Sequence, residues 1–195
     1  MQGTGRASVR ATDARERLLL ATLDCARRDG AGALSLQHIA REARVSKALV
    51  LYHFHDKERL LVAVIEWLTE RLVVRERVAL SASTATSVLE DYWQALDREF
   101  RFGELRVLSE LSQERGVDAV AALGASARRR RSVCDETISR VFQLLELSPR
   151  LPTAMLAACE LAFREGLVLS AAREAEHRAR VSFDVFWLSL LGLAQ

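Results

Sequence analysis

Ser35-Leu36-Gln37-His38-Ile39-Ala40-Arg41-Glu42-Ala43-Arg44-Val45-Ser46-Lys47-Ala48-Leu49-Val50-Leu51-Tyr52-His53-Phe54, followed by Asp56-Lys57-Glu58-Arg59-Leu60-Leu61, is the stretch on which the fold turns. Ser35 offers a side-chain oxygen to cap a helix whose inward positions Leu36, Ile39, Ala40 and Ala43 recur at helical spacing. Arg44 and Val45 make a tight connection, Ser46 caps again, and another short helix runs through Val50 toward Phe54. A helix enters the major groove of B-DNA only if a second helix braces it at a fixed angle; Ile39, Ala40, Ala43, Val45 and Val50 supply that packing. Gln37, Lys47, Ala48, Tyr52 and His53 are left facing outward, able to meet base edges or phosphates.

Upstream, Leu18, Leu19, Thr22, Leu23 and Ala26 line one face of a helix over Asp13 to Asp29, and Gly30 ends it. Downstream, Asp56 caps a long helix whose apolar pattern runs from Leu60 to about Leu80, and Ser81 to Ser87 reads as a turn. Helical patterns follow over Val88 to Arg101, Glu104 to Arg115, Val117 to Leu147, Thr153 to Ala172 and Arg178 to Leu193. The fold class expected is all-α, a three-helix head followed by a helical bundle. Composition agrees: half of the 195 residues are hydrophobic, enough for a substantial core, and only two prolines and nine glycines interrupt a chain of good helix formers.

No apolar run is long enough to cross a bilayer, and Met1 to Arg17 lacks the apolar centre of a signal peptide, so a cytoplasmic protein without membrane contact is expected. Cys25, Cys134 and Cys159 are odd in number and far apart, and read as buried thiols rather than a disulfide or zinc framework. No metal or other cofactor is expected. Residues 1 to 60 hold eleven Lys and Arg against seven Asp and Glu, an excess that favours a phosphate-rich partner. Of 28 basic residues only Lys47 and Lys57 are lysines, and both fall on the proposed DNA face. The run Arg128 to Arg131 points around a helix in all directions and reads as a solvated surface.

From about Arg15 to Val64 the chain resembles the DNA-binding region of the TetR family, including the helix from Leu18 to Asp29 and the glycine that closes it. The resemblance implies a homodimeric transcriptional repressor whose two heads reach successive major grooves of near-palindromic double-stranded DNA, about 34 to 36 Å apart, and which a small-molecule effector releases. It implies a flexible basic arm at 1–12, the helix-turn-helix domain at 13–56 and a ligand-binding and dimerisation domain at 57–195. Carried onto this sequence, the DNA contacts are Ser35, Gln37, Arg44, Ser46, Lys47, Ala48, Tyr52, His53 and Lys57. Tyr52 suits a core position and a phosphate contact equally, and His53 has a reading with no role at all. Three departures stand out. Arg44 replaces the usual glycine, so it must accept a left-handed conformation at a cost of about 1 kcal/mol. Leu51 replaces the first of two aromatics, and Leu49 a small polar residue.

Two other readings compete with this one. A di-iron bundle needs two Glu-x-x-His pairs, and Glu174 with His177 is the single such spacing; His53 and His55 do not share a helical face, and no His-Glu-x-x-His, phosphate loop or Gly-x-Ser-x-Gly elbow occurs. Catalysis has no support. An adaptor with the same fold and no effector fits the sequence as well. If an effector exists, Trp93, Phe100, Phe102, Arg106, Glu110, Met155 and Phe163 offer apolar walls with a few polar groups, although such residues also make ordinary core. Leu161, Leu167, Val168, Phe183, Phe186, Trp187 and Leu190 exceed what two helices hide within one subunit, and with Arg164 and Glu165 they are assigned to a dimer interface.

Overall fold

The computed structural model describes the backbone of residues 4–113, 115–171 and 176–194, and side chains over 13–113, 115–168 and 178–194. Among these residues the chain forms α1 (Thr4–Asp29), a 3-10 turn (Ala31–Ala33), α2 (Leu36–Glu42), α3 (Lys47–Phe54), α4 (Lys57–Ala79), α5 (Ala85–Phe102), α6 (Glu104–Leu111), α7 (Val117–Leu144), α8 (Thr153–Ala171) and α9 (Glu176–Leu191). The all-α expectation holds. No described helix is long and apolar enough to cross a membrane.

Local chemistry explains the ends. Gly30 follows α1 with φ 84°. Thr84 caps α5 by accepting from the Ser87 amide at 3.1 Å, which starts that helix three residues before the expected Val88. Glu146, at φ 56°, stops α7 short of Leu147. Residues 4–12, expected as an arm, are helical and continue α1: they contain no proline, and alanine and arginine favour helix. Met1 to Gly3 and Glu174 lie outside the described residues, as does the side chain of His177.

The chain divides into two packing units. The first takes the residues up to Leu68 and adds Val107–Leu123. Its core joins Leu18, Leu19, Leu23 and Ala26 of α1 to Ile39 and Ala40 of α2, Val50 and Phe54 of α3 and Leu60, Leu61 and Val64 of α4, all buried. The expected boundary at residue 57 is the start of α4, yet the unit runs on to Leu68. Polar ties also bind in the later segment: Glu58 accepts from the Asp118 amide at 3.0 Å, and Glu110 from the Ala31 amide at 2.9 Å. The second unit contains Thr69–Arg106 and everything from Gly124 on, around Val88, Tyr92, Trp93, Leu96, Ile138, Val141, Phe142, Leu156, Phe183 and Trp187. Burial of this many large side chains is the main force holding each unit.

Candidate nucleic-acid interface

The geometry of the head begins with two serines. Ser35 Oγ accepts from the His38 amide and Ser46 Oγ from the Leu49 amide, each at 3.2 Å, fixing where α2 and α3 start. Between them Arg44 takes φ 55°, the left-handed conformation expected where the family has glycine. The Val45 amide then donates back to Ala40 O at 2.9 Å, which closes the turn. On α3, Val50 and Phe54 stand one turn apart and are buried, and the Arg15 guanidinium lies 5.4 Å over the Phe54 ring. The side of the same helix away from them is therefore outward. Ala48, Leu51 and Tyr52 are exposed there, with Tyr52 76% accessible for so large a ring, and Ser46 and Lys47 are exposed at the start of the helix. Exposure at this level leaves no core role for Tyr52. His53 is half-buried and meets Tyr52 edge to face at 5.2 Å.

Ser35, Gln37 and Arg44 are exposed as well, and Lys57 is half-buried at the first turn of α4. The sequence reading passed over Arg41, which is exposed one turn beyond Gln37 on α2; the i, i+4 spacing was the available signal. Arg41, Arg44 and Lys47 give this exposed surface three positive charges beside a phenol and an amide. Such groups hold phosphates and read base edges in a groove. Leu51, in the place of an aromatic, is 36% exposed and adds an apolar contact able to meet a thymine methyl.

The residues assigned to a pocket differ in their surroundings. Phe102 and Met155 are 53% and 56% exposed, Phe163 stacks on Phe186 at 4.3 Å, and Glu110 belongs to the first unit, where it holds Ala31. Trp93 packs on Phe183 at 5.1 Å and on Phe100 at 6.4 Å. Arg106 is half-buried. The polar centre of the second unit is instead Arg164. Its guanidinium is wholly buried, bidentate to Glu76 at 2.6 and 2.9 Å, and donates to Tyr92 Oη at 3.0 Å. Tyr92 in turn donates to Glu160 at 2.7 Å, and Glu99 stands 3.5 Å from Arg164 Nη2. Burial, with the Glu76 charge next, raises the Glu99 carboxyl well above the usual carboxylate range, and burial raises Glu160 too.

This overturns part of the assigned dimer interface. Arg164, Leu161, Leu167, Val168, Phe183, Trp187 and Leu190 are buried within the chain itself; Glu76 and Tyr92 cover Arg164, and Tyr92 and Trp93 pack on Phe183, with Trp187 also against Tyr92. Glu165 is exposed and Phe186 half-buried. The outward stripe of the last helices is different: Met155, Cys159 and Ala162 on α8, and Val181, Val185 and Leu188 on α9. Cys159 is thus exposed, against expectation, while Cys25 and Cys134 are buried. Of the arginine run, Arg130 is buried and 3.4 Å from Glu165, because one position in four must face inward on a packed helix.

Residues 18–64 match the family described as bacterial regulatory proteins, tetR family. No curated protein matches the chain in sequence. Among solved structures, a TetR transcription regulator from Haloarcula marismortui superposes with a TM-score of 0.79 at 17% identity, over 94% of this chain and 100% of that one. A transcriptional regulator from Rhodococcus sp. Rha1 gives 0.78 at 20% identity, over 92% and 97%. SmeT in complex with triclosan gives 0.70 at 18% identity, over 91% of each chain. At these identities the likeness is one of fold.

Proposed function

From the premise that the chain carries the DNA-binding domain of the tetR family of transcriptional regulators, we propose that it is a homodimeric repressor of near-palindromic operator DNA, released by a small-molecule effector. The observation that carries the reading is the division of α3, with Val50 and Phe54 buried behind outward Ala48, Leu51 and Tyr52, and Ser46 and Lys47 exposed at its start. A helix stabilised from behind by its own unit and left open in front is free to enter a groove. The contact set is Ser35, Gln37, Arg41, Arg44, Ser46, Lys47, Ala48, Tyr52 and His53, with Lys57 at the start of α4. The solvated stripe Met155, Cys159, Ala162, Val181, Val185 and Leu188 supports pairing of two copies, since apolar side chains at helical spacing on the surface mark an interface. Repression then follows by occluding the promoter.

Effector release is supported by the buried polar centre around Arg164 and by SmeT, a fold relative that binds triclosan. The helix α4 belongs to both units, its residues up to Leu68 to the first and those from Thr69 to the second. An effector that displaces its second half is thereby linked to the head, through a coupling of about 1 to 3 kcal/mol. The test is an operator selected from random DNA and titrated with parent, Lys47→Ala and Tyr52→Ala proteins. Both variants keep parental helix content and melting temperature and bind the operator at least about tenfold more weakly, each removing a contact that contributes about 1 to 3 kcal/mol. Parental affinity in both variants sinks the assignment of the face.

A further inference from the structure

Cys25 on α1 and His38 and Glu42 on α2 are contributed by two helices of the first unit, yet their ligand atoms, Sγ, an imidazole nitrogen and a carboxylate oxygen, all lie within 4.8 Å of one another. The DNA-reading surface uses none of the three. Arg28 Nη2 stands at their common centre, 3.9 Å from Cys25 Sγ, 3.3 Å from His38 Nε2 and 3.0 Å from Glu42 Oε2. A positively charged atom therefore already occupies the point on which a thiol, an imidazole and a carboxylate converge. A guanidinium only donates, and neutral His38 protonated at Nδ1 turns the lone pair of Nε2 toward that point, as a ligand would. Asp29 Oδ2 lies 3.4 Å from the same nitrogen. Entry is open: a cleft of about 490 Å³, lined by Ala33, Ser35, His38, Arg41 and Glu42, leads from solvent to His38 and Glu42.

We propose that Cys25, His38 and Glu42 form a binding site for a thiophilic divalent cation of the zinc type, which enters when the Arg28 side chain swings out and which ties α1 to α2. One sulfur, one nitrogen and one oxygen are the ligands Zn2+ takes in tetrahedral sites, at about 2.3, 2.0 and 2.0 Å, with the fourth position left to water. The three atoms need to close by roughly 1 Å to reach those bond lengths. Arg28 and Glu42 are half-exposed side chains on the rim, so they move freely while Cys25 stays in the core. Burial, then the Glu42 charge, pushes the Cys25 thiol up, so without metal it holds its proton. On binding, the metal–sulfur bond forms and that proton passes to water, which makes affinity rise with pH. An exposed ion pair such as Arg28–Glu42 is weak beside a metal–thiolate bond, so the guanidinium is the species displaced.

The experiment uses the whole chain, freed of metal by chelation, titrated with Co2+ and followed in the near ultraviolet, where cobalt–thiolate charge transfer absorbs. One cobalt per chain is expected, with Zn2+ abolishing the band. His38→Ala and Glu42→Gln, rim substitutions whose folding circular dichroism checks, weaken binding by more than about tenfold. Cys25→Ser loses the band and Cys159→Ser keeps it. Arg28→Ala, which empties the centre, tightens binding. No band in the parent, a band lost with Cys159 rather than Cys25, or weaker binding by Arg28→Ala overturns the proposal. The last result would show that the four side chains are a salt-bridge clamp and nothing more.

Discussion

At the scale of single residues, Arg44 is the most informative position in the head. Its φ of 55° places a branched, charged side chain where glycine is the low-energy choice, and it is exposed, so no buried contact offsets the strain. The resemblance to the family implied this, because glycine is usual at this place in the turn. On the proposed function, a phosphate contact offsets the strain. Arg44→Gly is accordingly expected to raise stability by up to about 1 kcal/mol in urea titrations. It should also weaken operator binding and reduce the slope of log affinity against log salt by about one unit, the signature of one lost phosphate contact. A glycine variant with parental salt dependence would show that the guanidinium touches no DNA.

At the scale of helices, the parts legible in the sequence were those with local causes. Caps at Ser35, Ser46 and Asp56, the glycine after α1, and the buried rows Leu18 to Ala26 and Ile39 to Val50 all followed from spacing and turn chemistry within a few residues. The last two helices were read less well for a physical reason. Apolar residues on α8 and α9 were too numerous for two helices, but the sequence does not say which of them α5 covers, and Phe183 and Trp187 proved to pack on Tyr92 at 6.1 and 6.2 Å. Likewise the approach of Cys25 to His38 and Glu42 depends on how two helices cross, and no linear spacing encodes it. The corrected stripe makes a sharp prediction. Leu188 is 70% exposed, so Leu188→Glu costs its own subunit little, but in a symmetric interface it sets two carboxylates in an apolar contact. Light scattering should give twice the chain mass for the parent and the single mass for the variant, with helix content unchanged and operator affinity reduced. A dimeric variant would move the interface elsewhere.

At the scale of the molecule, the two units are built on opposite principles, and their response to pH should differ. The core of the first unit is aliphatic and aromatic, with its charges on the rim. The second encloses Arg164 with Glu76, Glu99 and Glu160, all essentially inaccessible, and Arg75 approaches Glu99 to 3.8 Å. Opposed charges in an interior stabilise only while their number is balanced, because each unmatched charge carries a desolvation cost. Glu76 takes the bidentate face of Arg164, which leaves Glu99 without a close donor and favours its neutral form. Its pKa is raised in the folded state, so between the ordinary carboxylate value and the raised one the native chain holds a proton that the unfolded chain has released. That contribution is complete below the ordinary carboxylate pKa and is lost as pH rises through the native one. Within the window, each pH unit costs the parent up to about 1.4 kcal/mol from this group alone. Glu99→Gln cannot lose a proton, so the difference in unfolding free energy between parent and variant should shift in the variant's favour between pH 5 and pH 8, measured by urea titration. Taking the difference cancels groups common to both proteins, including the histidines. A difference that stays constant with pH would mean that Glu99 is ionised throughout and held by Arg75 and Arg130 together.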